Sequence, residues 1–124
     1  MVAFEVYRNG KKLCVAGTGQ TGMVGAHVYW VRHKEGLVRT HTGKTAKQAF
    51  TLEVSGLSSE RDEHLRWQRR KVRLGDEIRI RITDKAAADR PRNRERRDPT
   101  EELRAQKKYV RRMARKFGSK IQAT

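Results

Sequence analysis

Residues 72–83 read V-R-L-G-D-E-I-R-I-R-I-T, and from Ile78 onward apolar and cationic residues alternate with a period of two. Successive side chains of a strand point to opposite faces, so the pattern predicts a β-strand preceded by a turn at Leu74-Gly75-Asp76. Ile78, Ile80 and Ile82 are expected to face a core, with Arg79 and Arg81 in water. A half-buried strand of this kind belongs to an antiparallel sheet with one wet face.

Working backward, Val2–Tyr7 and Lys11–Ala16 read as two strands joined by Asn9-Gly10, the pair preferred at the two positive-φ positions of a type I′ turn. In the simplest hairpin register Phe4, Val6, Leu13 and Val15 share the core face. Met23–His33 resumes the alternation, with Val24, Ala26, Val28 and Trp30 on one face and His27, Tyr29, Val31 and His33 on the other. Residues 34–48 lack periodicity and read as a mobile basic loop. Phe50, Leu52 and Val54 mark another strand, and Leu65 and Trp67 a further one. Trp30 and Trp67 are both expected in the core. The total is about six strands, at the short spacing of a sandwich or barrel.

Beyond Thr83 the character changes. Residues 85–97 hold R-P-R-N-R-E-R-R and no large apolar side chain, so they read as a linker or arm that cannot bury itself. Asp98-Pro99 then opens a helix: an acceptor at the N-cap, Pro at the first helical position, and Glu101 and Glu102 at the positive end of the dipole. Leu103, Val110, Met113, Ala114 and Phe117 fall on one stripe, which is expected to pack on the domain or on another copy. Gly118 is the expected helix stop, with Ile121 folding back onto the stripe. The chain is therefore predicted to be α+β: an antiparallel β-domain over residues 1–83, an arginine-rich linker or arm over 84–98, and a basic amphipathic C-terminal helix and tail over 99–124, all within a single domain.

Charge carries the functional signal. The 124 residues hold 30 Lys and Arg against 14 Asp and Glu, a formal net charge of +16, and only 35% are hydrophobic. Residues 1–83 contain 16 basic and 8 acidic groups, and the remaining 41 contain 14 and 6, so cationic density is highest in the C-terminal third. Such an excess favours a negatively charged partner, nucleic acid first among them. One cysteine, Cys14, excludes an internal disulfide and a cysteine-based metal cluster. No stretch has the ~18 apolar residues of a membrane span, which with the single cysteine and the lack of low-complexity tails suggests a soluble cytoplasmic protein of bacterial or phage type.

Three motifs carry simpler readings. Gly17-Thr18-Gly19-Gln20-Thr21-Gly22 matches G-x-G-x-x-G, but a strand follows it and positions 37–42 offer no carboxylate for a ribose, so it reads as a connection between strands and no nucleotide cofactor is implied. Gly43-Lys44-Thr45 lacks the earlier glycine of a phosphate-binding loop, because Val38 stands there, although Arg39, Lys44 and Lys47 remain able to touch phosphates. His27, His33, His41 and His64 show no zinc spacing; on one strand His27 and His33 would lie about 20 Å apart, too far for one reaction centre.

The strongest pattern is the arm with the helix. Arg90, Arg92, Arg94, Arg96 and Arg97, with Lys107, Lys108, Arg111, Arg112 and Arg115, form a candidate phosphate-binding set, because guanidinium groups bind phosphate bidentately and stack on bases. Tyr7, Tyr29 and Tyr109 are candidate stacking platforms. The expected function is RNA or DNA binding without catalysis. Two alternatives are an inhibitor or accessory subunit docking on an acidic protein, and a metal-free ribonuclease that uses the histidines. A homodimer through the helix stripe is also expected to be possible.

Overall fold

The computed structural model describes residues 1–96 and 98–117. The chain is α+β, and the described residues form nine strands in three antiparallel sheets followed by one helix. β1 (Val2–Arg8) and β2 (Lys11–Ala16) form the expected hairpin, with φ of 51° at Asn9 and 80° at Gly10. β1 lies at the centre of the first sheet, between β2 and β8 (Ile78–Asp84). The second sheet has the order β3 (Gly22–Val31), β6 (Ala49–Ser58), β7 (Glu63–Lys71), β9 (Asn93–Arg96). β4 (Val38–Arg39) and β5 (Thr45–Ala46) make a small hairpin of their own.

The core lies between the two larger sheets. Val6, Cys14, Ala16, Leu52, Val54, Leu65, Trp67 and Val72 are buried there, and Phe4, Leu13, Val24, Ala26, Phe50 and Ile78 pack around them. Burial raises the Cys14 thiol to about 11, leaving it a small apolar core residue. β2 lies against β7 and β6, and β1 against β3, so β8 and β3 fall on the same lateral side of the core. The sheets do not close into a ring.

Several expectations fail for identifiable reasons. A bulge between Val6 and Tyr7 shifts the hairpin register by one, so Phe4 pairs with Ala16 and Val6 with Cys14. A one-residue shift exchanges faces, which puts Cys14 and Ala16 on the core side and Val15 beside Glu5 on the other. The isoleucine strand forms, but it is an outer strand paired with β1 alone. Ile78 packs on the core, whereas Ile80 is 41% and Ile82 72% exposed, β8 being the outer strand of the first sheet on that side. Trp30, expected in the core, is likewise 58% exposed; Trp67 is buried as expected.

Residues 34–48 are a hairpin, not a structureless loop. Thr40 N–H donates to Lys44 O (2.7 Å), Gly43 N–H to Thr40 O (3.0 Å), and Val38 is buried. The strand β3 also stops at Val31, so His33 does not share a strand face with His27.

The glycine-rich stretch is a strand connection, and close packing accounts for it. A Cβ on Gly56 would stand 2.5 Å from Met23 O and 2.7 Å from Thr18 Cγ2, so Thr18 fills the space that two missing side chains leave at Gly22 and Gly56. Gln20 N–H donates to Glu60 Oε1 (3.2 Å), so a carboxylate of the chain itself occupies that loop amide.

Candidate nucleic-acid interface

The arginine-rich segment is held to the body by its backbone while its side chains remain in water. Asp89 fixes it first. Val15 N–H donates to Asp89 Oδ2 (2.8 Å), Asp89 N–H to Val15 O (2.9 Å), and Trp67 Nε1–H to Asp89 O (2.7 Å). The segment thereby satisfies the free edge of β2 and the indole of the core tryptophan together. Arg92 N–H then donates to Arg66 O (2.9 Å), and Asn93–Arg96 continues as β9, pairing Leu65 with Arg94 and Glu63 with Arg96. The linker expected over 84–98 thus contains a strand. Its composition forbids burial, as expected, but the edge of β7 supplies backbone partners that composition does not reveal.

Alternation sorts the charges. Arg94 and Arg96 share the face that carries Leu65, spaced about 6.6 Å apart at the strand rise, and Asn93 and Glu95 share the other, while Arg92 stands just before the strand. On the arginine side lies a cleft of about 360 Å³ whose walls include Arg61, Arg90, Arg94, Glu60 and Pro91. On the opposite side a trough of about 420 Å³ runs across the second sheet between His64, Arg66, Arg69 and Glu95, floored by Ser55 and Gly56. Arg61, Arg66 and Arg69 stand outside the set expected from sequence. Their spacing in β7 and its turn is ordinary, and only the pairing with β9 brings them beside the arm.

The helix α1 (Pro99–Phe117) begins as predicted. Asp98 Oδ1 accepts from Thr100 N–H (2.8 Å), Glu101 and Glu102 occupy the first turn, and Arg115 and Lys116 the last. At 3.6 residues per turn, Arg104, Lys107, Lys108, Arg111, Arg112 and Arg115 fall within an arc of about 140°. All of them are exposed. The apolar stripe opposite does not pack on the body as expected: Leu103 is 52%, Val110 55% and Phe117 53% exposed. Gly118 and Ile121 lie outside the described residues.

Among the described members of the expected phosphate-binding set, Arg94 alone is held by a carboxylate, Glu63 at 3.3 Å. Arg90, Arg92, Arg96, Lys107, Lys108, Arg111, Arg112 and Arg115 are exposed and form no ion pair among the described residues. Arg97 lies outside the described residues. Tyr7 is committed internally, with its hydroxyl on Glu5 Oε2 (2.7 Å) and Arg79 over its ring at 4.6 Å, whereas Tyr29 and Tyr109 are exposed.

The histidines do not converge. His27 pairs with Glu53 and His64 with Leu57, four residues further along β6, or about 13 Å at the strand rise, and two strands across. His41 sits in the small hairpin and His33 beyond the end of β3, both exposed. Among the described residues no group of His, Cys, Asp and Glu is arranged to hold a metal ion, and no helix is long and apolar enough to cross a membrane. No model of a known family, no curated protein and no solved structure matches this chain.

Proposed function

We propose that this is a nucleic-acid-binding protein that grips the phosphate backbone with β9, the preceding Arg90 and the basic arc of α1. The carrying observation is that Arg94 and Arg96 share one side of an exposed edge strand, preceded by the exposed Arg90 and Arg92, that leads into a helix with a cationic face. A polyanion laid along that strand exchanges its counterions for guanidinium groups already held apart by the backbone, so little side-chain rearrangement opposes binding. The net charge of +16 adds long-range attraction and fast association at low salt. The separation of the histidines favours binding over cleavage.

The test is fluorescence anisotropy of labelled single-stranded RNA, single-stranded DNA and duplex, measured from low to high salt. Affinity should fall steeply with salt for at least one of them. Replacing Arg92, Arg94 and Arg96 together by Ala should flatten the logarithmic salt dependence on a single strand by about two, at ~0.7 for each phosphate no longer neutralised. Absence of binding to all three ligands at every salt concentration ends the proposal.

A further inference from the structure

The two larger sheets have four outer edges, and three of them are protected. At β2, Asp89 takes the amide and the carbonyl of Val15. β8 carries Arg79, Arg81 and Asp84, and β9 carries Arg94, Glu95 and Arg96. Charged side chains and covering segments are the usual guards against edge-to-edge pairing.

The fourth edge, β3, has none of them among the described residues. Its ten residues, G-M-V-G-A-H-V-Y-W-V, contain no Lys, Arg, Asp, Glu or Pro in a chain that is 35% charged. β3 pairs with β6 at all ten positions without a bulge, so it is regular along its whole length. None of the turn and loop backbone hydrogen bonds among the described residues reaches it. Met23, Val28, Tyr29 and Trp30 are each more than two-fifths exposed, and Ile80 and Ile82 of β8 lie uncovered on the same lateral side.

We infer that β3 is a self-association edge through which two copies of this chain pair antiparallel, joining their second sheets into one. Charge selects this occupant. Nucleic acid and acidic proteins are drawn to cationic surfaces, and β3 is neutral over its full length; two copies at +16 repel each other least where neither carries charge. Its side chains also complement themselves. A two-fold axis through Ala26 sets Val24 opposite Val28, Met23 opposite Tyr29, His27 opposite Gly25, and Trp30 opposite Gly22, which pairs large residues with small ones and sulfur with an aromatic ring. Such an axis keeps the inner faces of both sheets on one side, so Val28 and Trp30 of each copy extend the apolar floor of the other. One strand pair buries less than the ~800 Å² per partner of a standard stable interface, so the dimer is reversible.

Sedimentation velocity on nuclease-treated protein over a wide concentration range tests this, in about 0.5 M salt to screen charge repulsion. The wild-type chain should pass reversibly from monomer to dimer. Val28→Lys and Tyr29→Lys, on opposite faces of β3 at exposed positions, should each weaken the dimer about tenfold or more, since each sets a charge against an apolar residue of the other copy, Val24 or Met23. Circular dichroism confirms that the variants fold. Val110→Lys on the exposed helix stripe should leave the dimer intact. A wild-type chain that stays monomeric throughout, a dimer that survives both β3 substitutions, or one abolished by Val110→Lys overturns the inference. The readout is independent of nucleic-acid binding, so either proposal can fail alone.

Discussion

The two lateral sides of the core are built from similar strands and end differently. On the β2–β7 side, the segment after β8 returns along the edge, and Asp89 bonds to Val15 and Trp67, so the side is sealed by the chain itself. On the β3–β8 side no segment among the described residues returns. Val28, Trp30, Ile80 and Ile82 occupy core-facing positions and are exposed. Alternation of apolar residues makes a face capable of burial; a covering element is still needed to bury it, and among the described residues the chain supplies one on only one side.

The largest effect should come from breaking the sealed side at its centre. Trp67→Ala removes a fully buried indole and the donor to Asp89 O, and should destabilise by about 3–5 kcal/mol in denaturant unfolding. Next, Asp89→Ala leaves the Val15 amide of a buried strand without its acceptor. A loss of about 1–3 kcal/mol follows, with increased protease sensitivity of the arginine-rich segment.

The turn that starts β8 should show itself in acid. Asp76 is held below the usual carboxylate range chiefly by Asn9 and the Arg73 amide, with Arg8 at 2.8 Å; Glu5 is lowered chiefly by the Tyr7 hydroxyl, with Lys85 and Lys12 helping against burial. Because folding depresses both, the unfolded chain binds more protons in acid. Their stabilisation is complete above the ordinary carboxylate values and is lost as pH falls through the depressed ones, below about pH 4. Asp76→Asn should therefore lower the melting temperature at neutral pH and make the acid limb of stability against pH shallower. The smallest effect belongs to the open side: Ile82→Thr should change stability by less than about 0.5 kcal/mol at concentrations where the chain is monomeric. A large loss there would mean that the side is covered after all.

Local chemistry was legible from the residues. Asn9-Gly10 dictates its turn because both positions need positive φ. Asp98-Pro99 with Glu101 and Glu102 dictates the helix start because its first amides need an acceptor and its dipole favours anions. The α+β class followed from these, as did the exposure of the predicted cations. The Thr40–Lys44 hairpin escaped because its bonds are made mostly by backbone, and β9 because a strand of N-R-E-R has no apolar face to announce it.

The sequence by itself determined which residues can form strands, turns and a capped helix, and where the charge resides, since these depend on each residue and its near neighbours. Only the tertiary structure decided which apolar faces are covered. The bulge at Val6–Tyr7 chose between Cys14 and Val15 for the core, the edge position of β8 exposed Ile82, and the return past Asp89 set Arg94 and Arg96 on one face beside β7. Burial is a property of two surfaces in contact, and the second surface here comes from residues far away in the chain.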